Sequence, residues 1–252
     1  MRGFMKDVFF ETAFTQDAVP SYRCPVCMEG DLIKEEFVSE STAVTKKNSE
    51  NDWWEPDYDE YVFRLTLKCP RCNELVFVHG DGYVDQEITM ESEDEWTRAW
   101  VCYYRPKNFF PPLKFIKCPV ATPRTVQESL GSAAALYYSH PSAACNYLRM
   151  AAEDILTSLG VPSSTPEEYV SLAQRIKKLD NKSAEYLLLD AVRWLGNVGS
   201  HSGSTIKHED AKDAFSLIDL LIEEIYSDRK KKIHELAEAI RTNKGPVSSR
   251  GF

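Results

Sequence analysis

The spacing of apolar residues changes near residue 124 and predicts strands before that point and helices after it. Residues 61–68 alternate apolar and polar side chains, as a half-buried strand does. Gly80, Asp81 and Gly82 separate two short apolar runs, and this turn signal predicts a hairpin. Strands are predicted at residues 61–68, 74–79, 83–88 and 96–104, with a strand pair at residues 31–45.

After residue 124, apolar residues recur at the three- and four-residue spacing of amphipathic helices. Thr165 followed by Pro166 and Glu167 is typical of a helix start, because it combines an N-cap with a proline and an acidic first turn. Helices are predicted at residues 125–139, 141–159, 165–179, 208–225 and 228–242, and one more from residue 183 into the glycines at 196, 199 and 203.

A proline-rich segment, residues 105–123, separates the two patterns. Its five prolines are incompatible with a continuous helix and favour extended chain. The sequence therefore predicts an α+β protein with a β-module at residues 1–104, a connector at 105–123, a helical domain at 124–242 and a disordered tail at 243–252.

Composition narrows the class of protein. The 252 residues carry a formal net charge of −9, so broad non-specific binding to nucleic acid is not favoured, although a local basic patch would still permit it. No run of eighteen apolar residues predicts a membrane-spanning helix. The first residues lack the apolar core of a signal peptide, and we expect a cytoplasmic protein.

Four of the seven cysteines form two Cys-x-x-Cys pairs, Cys24 with Cys27 and Cys69 with Cys72. Two such pairs can complete a tetrahedral thiolate shell, which leaves no open position for catalysis. The polar or small residues that follow each pair suit tight turns that aim backbone amides at sulfur. The sequence therefore predicts one structural Zn²⁺ per chain. A redox pair is the alternative, but a thioredoxin-like motif needs a single Cys-x-x-Cys that opens a helix after a strand.

Asn197 and His201 are one helical turn apart and lie on one face if the helix persists past Gly199. Histidine is the side chain best suited to move a proton near neutral pH, and asparagine can orient a substrate or water. The structural alternative is that His201 caps the helix or binds a backbone carbonyl after the glycines.

Residues 146–153, Asn-Tyr-Leu-Arg-Met-Ala-Ala-Glu, and 196–201, Gly-Asn-Val-Gly-Ser-His, together resemble the DUF4145 family over about residues 104–226. That family is similar to the HEPN-like superfamily of helical domains, which includes ribonucleases and partner-binding domains of prokaryotic conflict systems. A zinc-ribbon-like module often stands in front of it. The resemblance implies a binding role for Arg149 and Glu153, and a site that contains Asn197 and His201.

One departure from the superfamily affects the expected activity. In HEPN ribonucleases four to six residues separate an arginine from the histidine that follows it, and here Trp194, Leu195 and Gly196 occupy the corresponding positions before His201. Arg193 lies one residue too far upstream, although in a helix it could still face the groove. RNA cleavage would need a cation beside the phosphate, supplied by Arg193 or Arg149.

Two functional hypotheses follow from this resemblance. The first is an accessory or effector protein of an anti-phage or restriction-type system, which binds a protein partner or nucleic acid. The second is a metal-independent endoribonuclease that uses His201, Asn197 and an arginine. The resemblance also implies a homodimer through the helical half, because HEPN-like bundles commonly pair so that two motif helices face one groove. Glycines 196 and 199 would permit the close approach; the alternative is that they accommodate a neighbour within the same chain.

Overall fold

The computed structural model describes residues 7–92, 95–165, 167–200 and 206–247 of the chain. It is an α+β protein, as predicted: a four-stranded antiparallel sheet is followed by a group of helices. The strands are β1 (Ile33–Ser41), β2 (Glu60–Lys68), β3 (Leu75–Ser92) and β4 (Glu95–Phe110). The helices are α1 (Ala43–Asn48), α2 (Arg124–Leu136), α3 (Pro141–Ser158), α4 (Leu172–Ile176), α5 (Ala184–Ser200), α6 (His208–Tyr226) and α7 (Arg229–Asn243).

The sheet is a meander in the order β1-β2-β3-β4. Pairing of β2 with β3 ends at Glu60 opposite Tyr83, whereas β3 and β4 stay paired as far as Ser92 opposite Glu95. Beyond Tyr83 the two long strands therefore form a ribbon that extends past the rest of the sheet.

The predicted hairpin at Gly80-Asp81-Gly82 is wrong, because β3 runs straight through these residues. Glycine is required at positions 80 and 82 because a side chain would not fit, not because the chain turns. A Cβ on Gly80 would lie 2.0 Å from the backbone oxygen of Arg105, and one on Gly82 would lie 2.9 Å from Cδ1 of Tyr104. Close approach of β4 and of the Tyr104 ring explains both positions.

The predicted strand pair at residues 31–45 is one strand, β1, followed by the short helix α1. Thr42 follows β1 directly and is the N-cap of α1, since its hydroxyl accepts a hydrogen bond from the amide of Thr45 at 3.3 Å. The acidic segment after α1 contains one further turn of 3-10 helix, Pro56–Tyr58.

The helix predicted from residue 165 is also wrong. The Thr165 hydroxyl does accept a hydrogen bond from the amide of Glu168, but the helix, α4, begins only after Ser171. Ser171 and Gln174 form a capping box there, and Leu172 and Ile176 are buried. Residues 167–170 include no buried side chain, and a cap alone does not sustain a helix, because most helical stability comes from packing.

One hydrophobic core joins the sheet to the helices. Phe109, at the end of β4, contacts Tyr138 with a ring-centroid distance of 4.8 Å. The hydroxyl of Tyr137 donates to the backbone oxygen of Phe10 at 3.3 Å. The N-terminal segment thus packs against the end of α2, and β4 itself enters the segment that was predicted as connector.

No helix in the described residues has the length and apolar content to cross a membrane.

Candidate metal centre and helix groove

The two Cys-x-x-Cys segments fold alike. In the first, the backbone oxygen of Cys24 accepts from the amide of Met28 at 3.0 Å; in the second, that of Cys69 accepts from Asn73 at 2.9 Å. Met28 has φ 58° and Asn73 has φ 61°, so each segment ends on a left-handed residue. This turn brings both thiols of a pair to one side of the backbone.

The pairing of β1 with β2 brings the two segments together: the strands are antiparallel, the first segment precedes β1 and the second follows β2, so both lie at the same end of the pair. The four sulfur atoms lie within 4.8 Å of one another. Cys24 Sγ is 3.6 Å from Cys72 Sγ, and Cys27 Sγ is 3.7 Å from Cys69 Sγ. A tetrahedral ion with metal–sulfur bonds of about 2.3 Å separates its ligands by about 3.8 Å. The four cysteines therefore fit a tetrahedral metal site.

Backbone amides favour the ionised form of one thiol. The Gly30 amide donates to Cys27 Sγ at 3.4 Å. This bond, followed by one from Glu29, lowers the pKa of Cys27 to about 6. Burial instead raises the pKa of Cys24 to about 12. Metal ions bind thiolates, so these hydrogen bonds to Cys27 are compatible with a metal site.

Gly30 donates its amide hydrogen bond to Cys27, and it also lacks a side chain that would clash with the second segment. A Cβ on Gly30 would lie 2.5 Å from Cys69 Sγ, in the other segment. The sequence predicts turns that aim backbone amides at the cysteine sulfurs, and the hydrogen bond from the Gly30 amide to Cys27 Sγ is of this kind. An ion pair of 2.6 Å between Arg71 and Glu29 further links the two segments.

The remaining cysteines, Cys102, Cys118 and Cys145, lie outside this cluster. Burial raises the pKa of Cys145 to about 12 and of Cys118 to about 11. Both are therefore protonated near neutral pH and act as small apolar side chains.

The second predicted site lies where α5 packs against α3. Arg149 donates through Nη1 to Oδ1 of Asn197 at 2.9 Å, and its Nε lies 3.6 Å from Glu153 Oε1. We call the surface formed by these three residues the α3–α5 groove. A Cβ on Gly196 would lie 2.8 Å from the Cβ of Arg149, so this glycine lets the two helices approach.

The structure thus joins three of the predicted site residues, and it accounts for Gly196 by a neighbour within the chain. The contact between Arg149 and Asn197 was not predicted, because the two residues are far apart in sequence and no local pattern connects them. Nothing in the spacing of α3 or α5 alone indicates that their polar faces meet.

Arg193 makes contacts along its own helix. Its Nε donates to Asp190 Oδ1 at 2.8 Å, and its guanidinium lies 4.2 Å from the centroid of the Trp194 ring. Its charge is therefore balanced by a carboxylate one turn earlier. His201 lies outside the described residues.

The fold and its four thiols define a class of protein in which an antiparallel sheet with a four-cysteine cluster is fused to a helical domain. Residues 132–243 match the family model DUF4145, a domain of unknown function. The predicted resemblance is confirmed for these helices, and the match includes α7. Residues 12–110 match a second family model, DUF8608, also a domain of unknown function. Neither the curated proteins nor the solved structures give a match.

Proposed function

We propose that the protein is an accessory or effector of a prokaryotic anti-phage or restriction-type defence system, and that it binds a protein partner or nucleic acid through the α3–α5 groove. The proposal depends on the resemblance of its helical part to the HEPN-like superfamily. The observation that supports it best is the hydrogen bond of Arg149 to Asn197, which gathers the family-motif residues on one surface.

A binding role is favoured over catalysis by the charges of the groove. Arg149 is paired with Glu153, and Arg193 is paired with Asp190. A cation that already has a carboxylate partner stabilises the extra charge of a phosphate transition state less than an unpaired one does. Both arginines still offer hydrogen-bond donors to a partner's carboxylate or phosphate.

The groove proposal is tested with Arg149→Ala in a binding assay that uses fluorescently labelled single-stranded RNA, duplex DNA and the products of neighbouring genes as probes. Arg124→Ala is a matched control, since Arg124 and Glu128 form the same type of i,i+4 pair on the exposed face of α2. We expect Arg149→Ala to weaken binding at least tenfold and Arg124→Ala to leave it unchanged. Equal effects of the two variants would reject the groove.

A metal-independent endoribonuclease is the second candidate. It is supported by the position of Arg149, which brings a cation from α3 to Asn197 although the usual arginine position of α5 holds Gly196. His201 would act as the general acid and base, with an expected contribution of about 10² to 10⁴-fold in rate. RNA cleavage in the presence of EDTA that disappears in His201→Ala would establish this activity over simple binding.

We further propose that the four-cysteine cluster holds one structural Zn²⁺. Four thiolates at these separations match the tetrahedral geometry and the ligand preference of zinc, and they leave no position for a substrate. Free thiols of this kind also fit a reducing compartment, and we place the protein in the cytoplasm.

A further inference from the structure

Helix α7 belongs to the family domain but contributes nothing to its core. The DUF4145 match extends to residue 243, which is the last residue of α7. None of the α7 residues from 232 to 243, whose side chains are described, is buried. Its first turn borders residues 119–121, and α6 and α7 do not form a packed pair among the described elements. A short helix of this kind is not stable in water unless a packing partner covers one face.

The apolar residues of α7 form one stripe. Ile233, Leu236 and Ile240 recur at helical spacing, and the side chains of Ile233 and Ile240 are 53% and 44% exposed. The helix is also basic, with five lysines and arginines against two glutamates. It therefore presents an apolar face within a positively charged helix.

A second exposed apolar surface lies on the same domain. Leu187, Ala191, Trp194 and Val198 form a stripe along α5, and Leu187 and Trp194 are 70% and 58% exposed. Leu217 and Leu220 of α6 continue it across a shallow groove that also contains Asp213. We call this surface the α5–α6 groove. A contiguous exposed apolar surface with polar residues at its edge is of the kind that marks interaction sites.

The charges of the two surfaces are complementary. Helix α6, which forms one wall of the groove, carries six acidic residues and one lysine. Its exposed side includes Asp213, Glu223 and Glu224. A basic amphipathic helix fits an apolar groove with an acidic rim, because burial of the stripe supplies affinity and the charges select orientation.

We propose that α7 of a second copy of this chain occupies the α5–α6 groove. Helix α7 does not fill the groove of its own chain, because after the two residues that connect it to α6 it leaves without packing on α6 among the described elements. Two copies that exchange α7 cover both exposed stripes of both chains. Each copy then contributes a helix to the other. This dimer differs from the one expected from the sequence, in which α5 of one copy would pair with α5 of the other.

The test is the mass of the protein in solution, measured by light scattering at tens of micromolar. The wild-type protein should have twice the chain mass of 28.8 kDa. Trp194→Glu in the groove and Ile240→Glu in α7 should each give the monomer mass. Trp96→Glu is the matched control, because Trp96 is 64% exposed on β4, away from the helices, and this variant should remain a dimer.

Mixing the two monomeric variants separates α7 exchange from any symmetric interface. An Ile240→Glu copy has an intact groove and a Trp194→Glu copy has an intact α7, so an equimolar mixture should recover dimers through one remaining contact. Circular dichroism checks that each variant is folded, and Leu220→Glu replaces Trp194→Glu if the latter is not. A monomeric wild type, a dimeric Ile240→Glu or Trp194→Glu protein, or no recovery on mixing would overturn the proposal.

Discussion

Gly196 and Gly131 occupy helix interiors with opposite surroundings, and they form a natural pair for mutation. A Cβ on Gly196 would meet Arg149 at 2.8 Å, whereas a Cβ on Gly131 of α2 would meet nothing within 4 Å. Glycine inside a helix costs about 0.5–1 kcal/mol relative to alanine. At Gly196 the contact with Arg149 explains why the helix contains a glycine. At Gly131 no described neighbour requires one.

Gly196→Ala should destabilise the protein by about 1–3 kcal/mol, because α5 must move away from α3 or Arg149 must change rotamer. Gly131→Ala should instead stabilise it by about 0.5–1 kcal/mol. Urea unfolding followed by far-UV circular dichroism measures both changes. If the two variants shift the midpoint in the same direction, the close contact at Gly196 is not what fixes the helix spacing.

Asp219 of α6 should make stability depend on pH. Burial, followed by the neighbouring Glu223, raises the pKa of Asp219 from 3.8 to about 6. The folded state therefore binds the proton more tightly than the unfolded state does. The stabilisation is complete below about pH 4 and is lost as the pH rises through about 6.

In Asp219→Asn this contribution should disappear. The free energy of unfolding of the variant, relative to wild type, should rise between about pH 4 and pH 7. Denaturation series at several pH values provide the comparison, and Asp52→Asn in the exposed segment after α1 is the control. A constant difference across that interval would show that Asp219 titrates normally.

At the scale of elements, the four-cysteine cluster is built from two turns that the β1–β2 pair holds together. Each cysteine pair alone provides two ligands, and the amide of Gly30 and its missing side chain allow the turns to meet. Loss of one thiolate therefore removes the constraint between the turns as well as a ligand.

Purified protein should contain one zinc per chain, and Cys69→Ser should lose the metal together with the fold of the sheet. Cys102→Ser, which changes a cysteine outside the cluster, should keep it. Elemental analysis and a colorimetric zinc assay on both variants measure the stoichiometry. Zinc-free native protein, or full stoichiometry in Cys69→Ser, would contradict the assignment.

Elements with a strong periodic pattern were predictable from the sequence, and those fixed by distant contacts were not. The long helices α3, α5 and α6 follow their apolar spacing to within a few residues. The four cysteines were predictable because their spacing alone defines a ligand set. The predicted hairpin at Gly80 was wrong because the close packing of Arg105 and Tyr104, not a turn, requires glycine at positions 80 and 82. The helix predicted from Thr165 was wrong because a capping residue does not reveal whether the residues after it become buried.

At the scale of the whole molecule, the sheet and the helices share a core, although they match two separate family models. Phe10 contacts Phe115, Tyr137 and Phe215 with ring centroids 5.0 to 6.1 Å apart. Residues from the N-terminal segment, the connector, α2 and α6 thus meet in one aromatic cluster. The N-terminal segment therefore completes an aromatic cluster whose other rings come from the connector and the helices.

We expect the two halves to unfold together. Phe10→Ala should lower the free energy of unfolding by about 3–5 kcal/mol, since it opens a cavity among aromatic rings. Zinc release and loss of helical circular dichroism should follow the same thermal transition in wild type and variant. Two separate transitions would show that the family boundaries are also the boundaries of cooperative folding.

The separation of the cysteine pairs along the chain has a consequence for synthesis. Cys72 follows Cys27 by 45 positions. At about 5–20 residues per second, the ribosome needs about 2–9 s to add the residues between them. The turn from Cys27 to Gly30 is local and can form during this interval, before Cys69 and Cys72 have been added. During this interval the nascent chain carries two of the four cysteines of the cluster, and oxidants and metal ions reach them before the cluster is complete.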